Sequence, residues 1–212
     1  MLVGHFNMNA DIKIHALFAQ PVFESHLDRQ FTKSEIQCMR HHEKHTFENE
    51  GNRRSLESYV LNKKPLRNLK KLLEEQCRRY LEVVISPAEK LQLYITQSWF
   101  NYTSHSQHHH LHSHSNSYVS GVLYFDATPE DSINFYNPVQ HQTIMPEVNT
   151  YNVHNATQWW FPIRAGQLMM FPSNLVHGVN AKKGSNIRTS LAFNTFVRGV
   201  VGSHEKLSEL KL

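Results

Sequence analysis

Cysteine is scarce in this chain of 212 residues: Cys38 and Cys77 are the only two, and no Cys-x-x-Cys pair exists. A disulfide framework is excluded, and a reducing compartment, the cytoplasm, is expected. Long apolar runs are also missing. None approaches the ~18 residues needed to cross a bilayer, so no membrane partner is expected. Residues 1–15 lack a basic stretch followed by a long apolar one, which argues against a secretory signal. Glycine and proline number 8 each, too few for a collagen-like or low-complexity chain. The net charge is +4 and not concentrated, so nucleic acid is not expected as a partner. Carboxylates are rare in the second half: between residues 99 and 200 there are only Asp126, Glu130, Asp131 and Glu147.

Charge and aromatic content change near residue 98. Residues 1–98 carry 27 charged side chains, whereas residues 99–212 carry 13 charged side chains and 15 of the 23 aromatic ones. That division predicts supporting helices packed on a β domain. In Pro65 to about Val84, Leu66, Leu69, Leu72, Leu73, Cys77, Tyr80 and Leu81 recur at helical spacing. The basic and acidic residues between them read as a solvated face. A weaker helix is expected over Lys33–His45, and an opening strand over Asp11–Phe18, where Ile12, Ile14 and Ala16 alternate.

From Leu91 the period becomes two. Leu91, Leu93 and Ile95 share a parity with Trp99 and Asn101. Further strands are expected over Tyr118–Phe125, Ser132–Tyr136, Gln167–Phe171 and Arg188–Phe196, separated by turn signals such as Asn137-Pro138, Ala165-Gly166 and Lys183-Gly184-Ser185. About eight short strands imply an antiparallel barrel or jelly roll. We divide the chain into residues 1–90 (a strand and supporting helices of the same domain), a core over 91–200, and a tail over 201–212.

Histidine is what the chain has in excess, with 16 in all and six between His105 and His114. Side chains two apart on an extended strand point the same way, so His110, His112 and His114 can share a face and offer imidazoles to one metal ion. His177, after the apolar run and the Pro172 bend, is the best distant third ligand. In the following strand Arg188, Ser190, Ala192 and Asn194 share a parity opposite Leu191 and Phe193, which suggests a lined cavity. A buried Arg188 would anchor a carboxylate through a bidentate fork. Trp159, Trp160, Phe161, Tyr118 and Tyr124 are candidates for the pocket wall.

The ordered set His-x-His before Tyr118-Val-Ser-Gly-Val, then Ala165-Gly-Gln-Leu-Met-Met-Phe-Pro-Ser-Asn-Leu-Val-His177-Gly-Val, then Arg188-x-Ser190-x-x-x-Asn194, resembles the Fe(II)/2-oxoglutarate-dependent dioxygenase superfamily. The nearest group is the prolyl-4-hydroxylase-like oxygenases of bacteria and marine phages. The resemblance covers roughly residues 90–197. It implies a double-stranded β-helix, a jelly-roll, cupin-like core with N-terminal helical support, in a mainly β fold. His112, His114 and His177 would hold Fe(II). Arg188, assisted by Ser190, would hold the far carboxylate of the co-substrate 2-oxoglutarate, with Asn101, Tyr124 and Asn194 as further co-substrate contacts. The implied activity is hydroxylation of a C–H bond with O2, of a peptidyl residue such as proline, releasing succinate and CO2. For a phage-encoded chain the compartment would be the host cytoplasm, and a homodimer is compatible with the reading.

The chain departs from the family at His114, where a carboxylate ordinarily stands. The usual non-haem iron site is two His and one carboxylate, and the carboxylates available lie beyond the strand, so a three-His site is expected. Three His also suit Zn2+. Two other functions therefore stay open: a cupin-type metalloenzyme that does not use 2-oxoglutarate, and a non-catalytic metal-binding module.

Overall fold

In the computed structural model, residues 13–137, 144 and 146–212 are described. The elements run β1 (Phe23–His26), α1 (Lys33–Glu43), β2 (Thr46–Asn49), β3 (Asn52–Ser55), α2 (Arg67–Tyr80), β4 (Gln92–Thr103), β5 (His109–His112) and β6 (Val119–Asp126). They continue with β7 (Ser132–Tyr136), β8 (Gln158–Pro162), β9 (Gln167–Pro172), β10 (His177–Val179), β11 (Arg188–Arg198), β12 (Val200–Val201) and β13 (Leu210–Lys211). A seven-stranded sheet has the order β1-β9-β6-β11-β4-β3-β2, and a four-stranded sheet the order β5-β10-β7-β8. All their pairings are antiparallel. This is the mainly β, jelly-roll architecture the turn spacing implied. No helix among the described residues is long and apolar enough to cross a membrane.

Alternation along the strands sorts side chains into two cores. Leu123, Phe125, Leu168, Met170, Leu191 and Phe193 face outward and meet Leu66, Leu69, Leu73, Cys77 and Tyr80 of the α2 region. Tyr124, Met169 and Phe171 face the other way and pack with Ile133 and Phe135 of β7. The helix thus covers one face of the large sheet, and the small sheet closes the other. Leu72, placed on the apolar stripe by its spacing, is 37% exposed. The basic residues of α2 do lie in solvent: Arg78 donates to Glu75 and Glu82, and Lys70 pairs with Glu74.

Local chemistry explains the helix boundaries. Thr32 caps α1: its Oγ1 accepts from the Glu35 N–H while Glu35 Oε2 accepts from the Thr32 N–H, a reciprocal capping box. The helix expected over Lys33–His45 stops at Glu43. The long helix opens as a 3-10 turn at Lys64–Leu66 and closes as a π turn at Leu81–Ile85, before Ser86 in a left-handed conformation.

Two expectations need correction. The opening strand does not form: residues 13–22 have no strand, and Ile14, Leu17 and Phe18 are exposed. Asp11 and Ile12 lie outside the described residues, as does Pro138 of one turn signal. Alternating apolar residues without a pairing edge do not make a strand, and the first one forms later, at Phe23, against β9. Second, Leu93 and Ile95 do not share a face with Trp99 and Asn101. A register shift opposite Asn194 inserts one residue into β4 and reverses its parity. Leu93 and Ile95 consequently pack toward the helices, while Trp99 and Asn101 turn into the cavity between the sheets.

Candidate metal centre

The antiparallel pairing of β5 with β10 sets the site. His112, the last residue of β5, is registered opposite His177, the first of β10. Gly178 lets these strands approach, since a Cβ there would meet Leu111 Cδ2 at 2.8 Å and the His109 carbonyl at 3.1 Å. Two residues on, the His114 N–H donates to the Ser173 carbonyl at 2.8 Å, which returns its ring toward His177. The ring centroids lie 4.4 Å (His112–His177), 4.9 Å (His112–His114) and 5.2 Å (His114–His177) apart.

Backbone carbonyls orient two of the rings. His112 Nδ1 sits 2.9 Å from the His110 carbonyl, and His177 Nδ1 is 2.9 Å from the Leu175 carbonyl. Each Nδ1 must carry the proton to donate, which leaves Nε2 as a bare lone pair. His114 Nε2 and His177 Nε2 then lie 3.4 Å apart. Two nitrogens about 2.1 Å from one ion at a tetrahedral angle are separated by about 3.4 Å, so the spacing fits a shared cation. Burial drives all three imidazoles toward the neutral form: His177 falls to about 3 and His114 to about 4, and the His112 value is also lowered. Deprotonated imidazole is the form that ligates.

The ligand atoms of His112, His114 and His177 lie within 4.8 Å of one another. His110 falls in a second group, with His109 and His112, and its Nδ1 is 3.1 Å from the Glu50 carbonyl in the β2–β3 turn. No carboxylate joins either group among the described residues. Asp126 accepts from Asn186 Nδ2. Asp131 is taken up by two cations, as follows.

Arg188 opens β11 on the wall of the same cavity, 4% exposed. Its Nη1 donates to Asp131 Oδ1 at 2.9 Å, so the bidentate fork expected from the sequence is half occupied. Nη2 is buried with no partner among the described residues. Lys182 Nζ donates to Asp131 Oδ2 at 3.0 Å. Burial raises the Asp131 pKa, but the Thr128 N–H, Lys182 and Arg188 outweigh it and hold the carboxylate below its usual range.

Asn101, Tyr124 and Ser190 line the cavity beside Arg188. Asn101 Oδ1 is a second buried atom without a partner among the described residues. Asn194 is not among the lining residues: its Oδ1 accepts from Ser120 Oγ, a residue of the wall, at 3.0 Å. Of the five aromatic residues proposed as walls, only Tyr124 lines the cavity. Trp159 and Trp160 sit on β8, the outer strand of the small sheet, and Trp160 is 55% exposed. Phe161 packs on Phe135, and Tyr118 is 43% exposed. Trp99, Val122 and Ile133 form the apolar wall instead. The reading from sequence missed Trp99, Asp131 and Lys182. The β4 parity reversal conceals the first, and no local spacing connects the other two.

Residues 97–194 match the protein family described as "Putative 2OG-Fe(II) oxygenase". No protein of curated function matches the chain. The fold is similar to an oxidoreductase of the 2OG-Fe(II) oxygenase family from Burkholderia pseudomallei (11% identity, TM-score 0.56, 82% of this chain and 83% of that one). It is also similar to HygX from Streptomyces hygroscopicus, solved with nickel, 2-oxoglutarate and hygromycin B (15%, 0.55, 83% and 82%). A Pseudomonas putida prolyl-4-hydroxylase is a third neighbour (12%, 0.54, 82% and 92%).

Proposed function

We propose that this chain, whose residues 97–194 match the 2OG-Fe(II) oxygenase family, is an oxidoreductase of that class and hydroxylates a C–H bond using Fe(II), 2-oxoglutarate and O2. The observation that carries this reading is one cavity with three converging imidazoles and an unpartnered guanidinium nitrogen. Every residue lining that cavity falls within the core 91–200, and in this reading the supporting helices Lys33–Glu43 and Arg67–Tyr80 belong to the same domain. Both cysteines are free, which supports a cytoplasmic setting.

In this reading His112, His114 and His177 hold the metal, and the His110 and Leu175 carbonyls fix two of the rings. The three ligands are neutral, so the full charge of the cation remains to attract an anionic co-substrate. Arg188 Nη2 takes the far carboxylate, with Ser190 and Tyr124 beside it. Asn101, its amide turned over, can present Nδ2 to the same group; the choice of amide orientation follows the hydrogen-bond network. Trp99, Val122 and Ile133 keep water from the reacting end. Held there by His112, His114 and His177, Fe(II) would supply the coupling of oxidative decarboxylation of 2-oxoglutarate to oxidation of the substrate. One oxygen atom of O2 goes to succinate and the other to the hydroxyl group, with release of CO2. Peptidyl proline is the substrate class to test first, on the fold shared with the Pseudomonas putida enzyme.

The test measures O2 consumption and succinate formation by the Fe(II)-loaded protein with 2-oxoglutarate. Turnover that His177→Ala abolishes supports the reading, and no 2-oxoglutarate consumption refutes it. The absence of a carboxylate among the ligands favours a second reading, a three-His enzyme that does not need 2-oxoglutarate. In that case activity survives Arg188→Leu.

A further inference from the structure

We propose that Lys182, which lies outside every motif segment, keeps the far end of the cavity cationic and thereby selects a 2-oxo acid bearing a second carboxylate. The inference rests on the proposed function above and assigns a specificity-determining residue to it.

Arg188 alone does not make that end of the cavity positive. Its Nη1 is 2.9 Å from Asp131 Oδ1, and both groups are buried. One guanidinium and one carboxylate sum to no net charge and leave only the short-range field of a dipole. An incoming carboxylate would then meet a neutral pair and, behind it, a negative oxygen. Lys182 changes the sum. Its ammonium is 3.0 Å from the other oxygen, Asp131 Oδ2, and the residue is 2% exposed. Two cations around one anion leave a single positive charge, and the unpartnered donor that can express it is Arg188 Nη2.

Burying a lysine is costly, and the surrounding structure is shaped to hold this one. The Lys182 N–H donates to the Gln107 carbonyl at 2.8 Å and its carbonyl accepts from the Ser106 N–H at 2.9 Å. It is thereby stitched to the histidine-rich loop that enters β5. Gly184 leaves space for the folded-back side chain, since a Cβ there would stand 3.3 Å from Lys182 Nζ. Thr128 binds Asp131 through both its N–H and its hydroxyl, which fixes the carboxylate between the two cations. Lys182 is therefore a positioning residue that acts through Asp131 and Arg188 rather than by touching the ligand.

The experiment is anaerobic calorimetry on the Fe(II)-loaded full chain with two ligands: 2-oxoglutarate, and 2-oxopentanoate, which has the same chain but a methyl end. Lys182→Met should weaken 2-oxoglutarate roughly tenfold or more, the order expected of one unit charge several ångströms away at an effective dielectric of about 20. Binding of 2-oxopentanoate should not change, and Lys182→Arg should restore 2-oxoglutarate. Lys182→Gln keeps a donor to Asp131 without the charge, and should behave like the Met variant if that one fails to fold. Equal weakening of both ligands would mean a merely structural role and overturn the proposal, as would no change for either. Wild-type protein that binds no 2-oxoglutarate would instead overturn the proposed function.

Discussion

Acidifying the metal-free protein should destabilise it, and His177 sets a magnitude. Burial holds this imidazole neutral in the folded chain, with a pKa of about 3, while the unfolded chain protonates it near pH 6.5. Below pH 6.5 the unfolded state therefore binds the extra proton. Stability then falls as pH drops, and goes on falling until the folded value near 3 is reached. Between pH 7 and pH 5 the loss from His177 alone is about 2 kcal/mol, and His114, lowered to about 4, adds to it. Urea denaturation in the presence of a chelator, at pH 7, 6 and 5, measures the effect in wild type and in His177→Gln. The wild type should lose about 2 kcal/mol more than the variant across that range. Parallel curves would show that His177 is solvated in the folded protein, and the reasoning from burial would fail.

Other perturbations probe other parts of the account. Arg188→Leu removes the buried Nη2 donor while leaving Asp131 paired with Lys182; the KM for 2-oxoglutarate should rise at least tenfold with the protein still folded, by steady-state kinetics and circular dichroism, about the worth of a lost charge-assisted bond. Gly121→Ala places a Cβ 2.2 Å from Phe193 Cζ, so thermal unfolding should report a loss of about 1–3 kcal/mol from overpacking. Leu73→Ala empties a fully buried site between α2 and the large sheet, and urea unfolding should show a cost of about 2–5 kcal/mol. An unchanged midpoint in either case would contradict the packing described.

Much of the jelly roll is legible in the sequence because its strands are short, apolar and punctuated. Val119–Asp126, Ser132–Tyr136 and Gln167–Pro172 lie within a residue of where alternation puts them. The β2–β3 hairpin is not legible. Its strands, TFEN and NRRS, are polar, and only Gly51, with φ of +89°, marks the turn. The tip presses on the histidine loop, where the His108 N–H donates to the Gly51 carbonyl. The N-terminal alternation misled for the opposite reason: it has the pattern without a partner strand.

At the site, the His-x-His spacing and the Arg188 parity are local periodic features, and His112, His114 and His177 do come together. What alternation cannot carry is a change of register, and the extra residue in β4 hid Trp99. Nor can it carry a charge network assembled from three loops and strands. Asp131 and Lys182 are 51 positions apart in the chain, and only the folded structure joins them to Arg188.

The most direct measurement is an anomalous-scattering map from crystals of the protein loaded with Fe(II) under anaerobic conditions. The account predicts one ion bound by Nε2 of His112, His114 and His177, with no protein carboxylate among its ligands. An ion held elsewhere, by His109 and His110 for example, or one bound by Asp126 or Asp131, would contradict it.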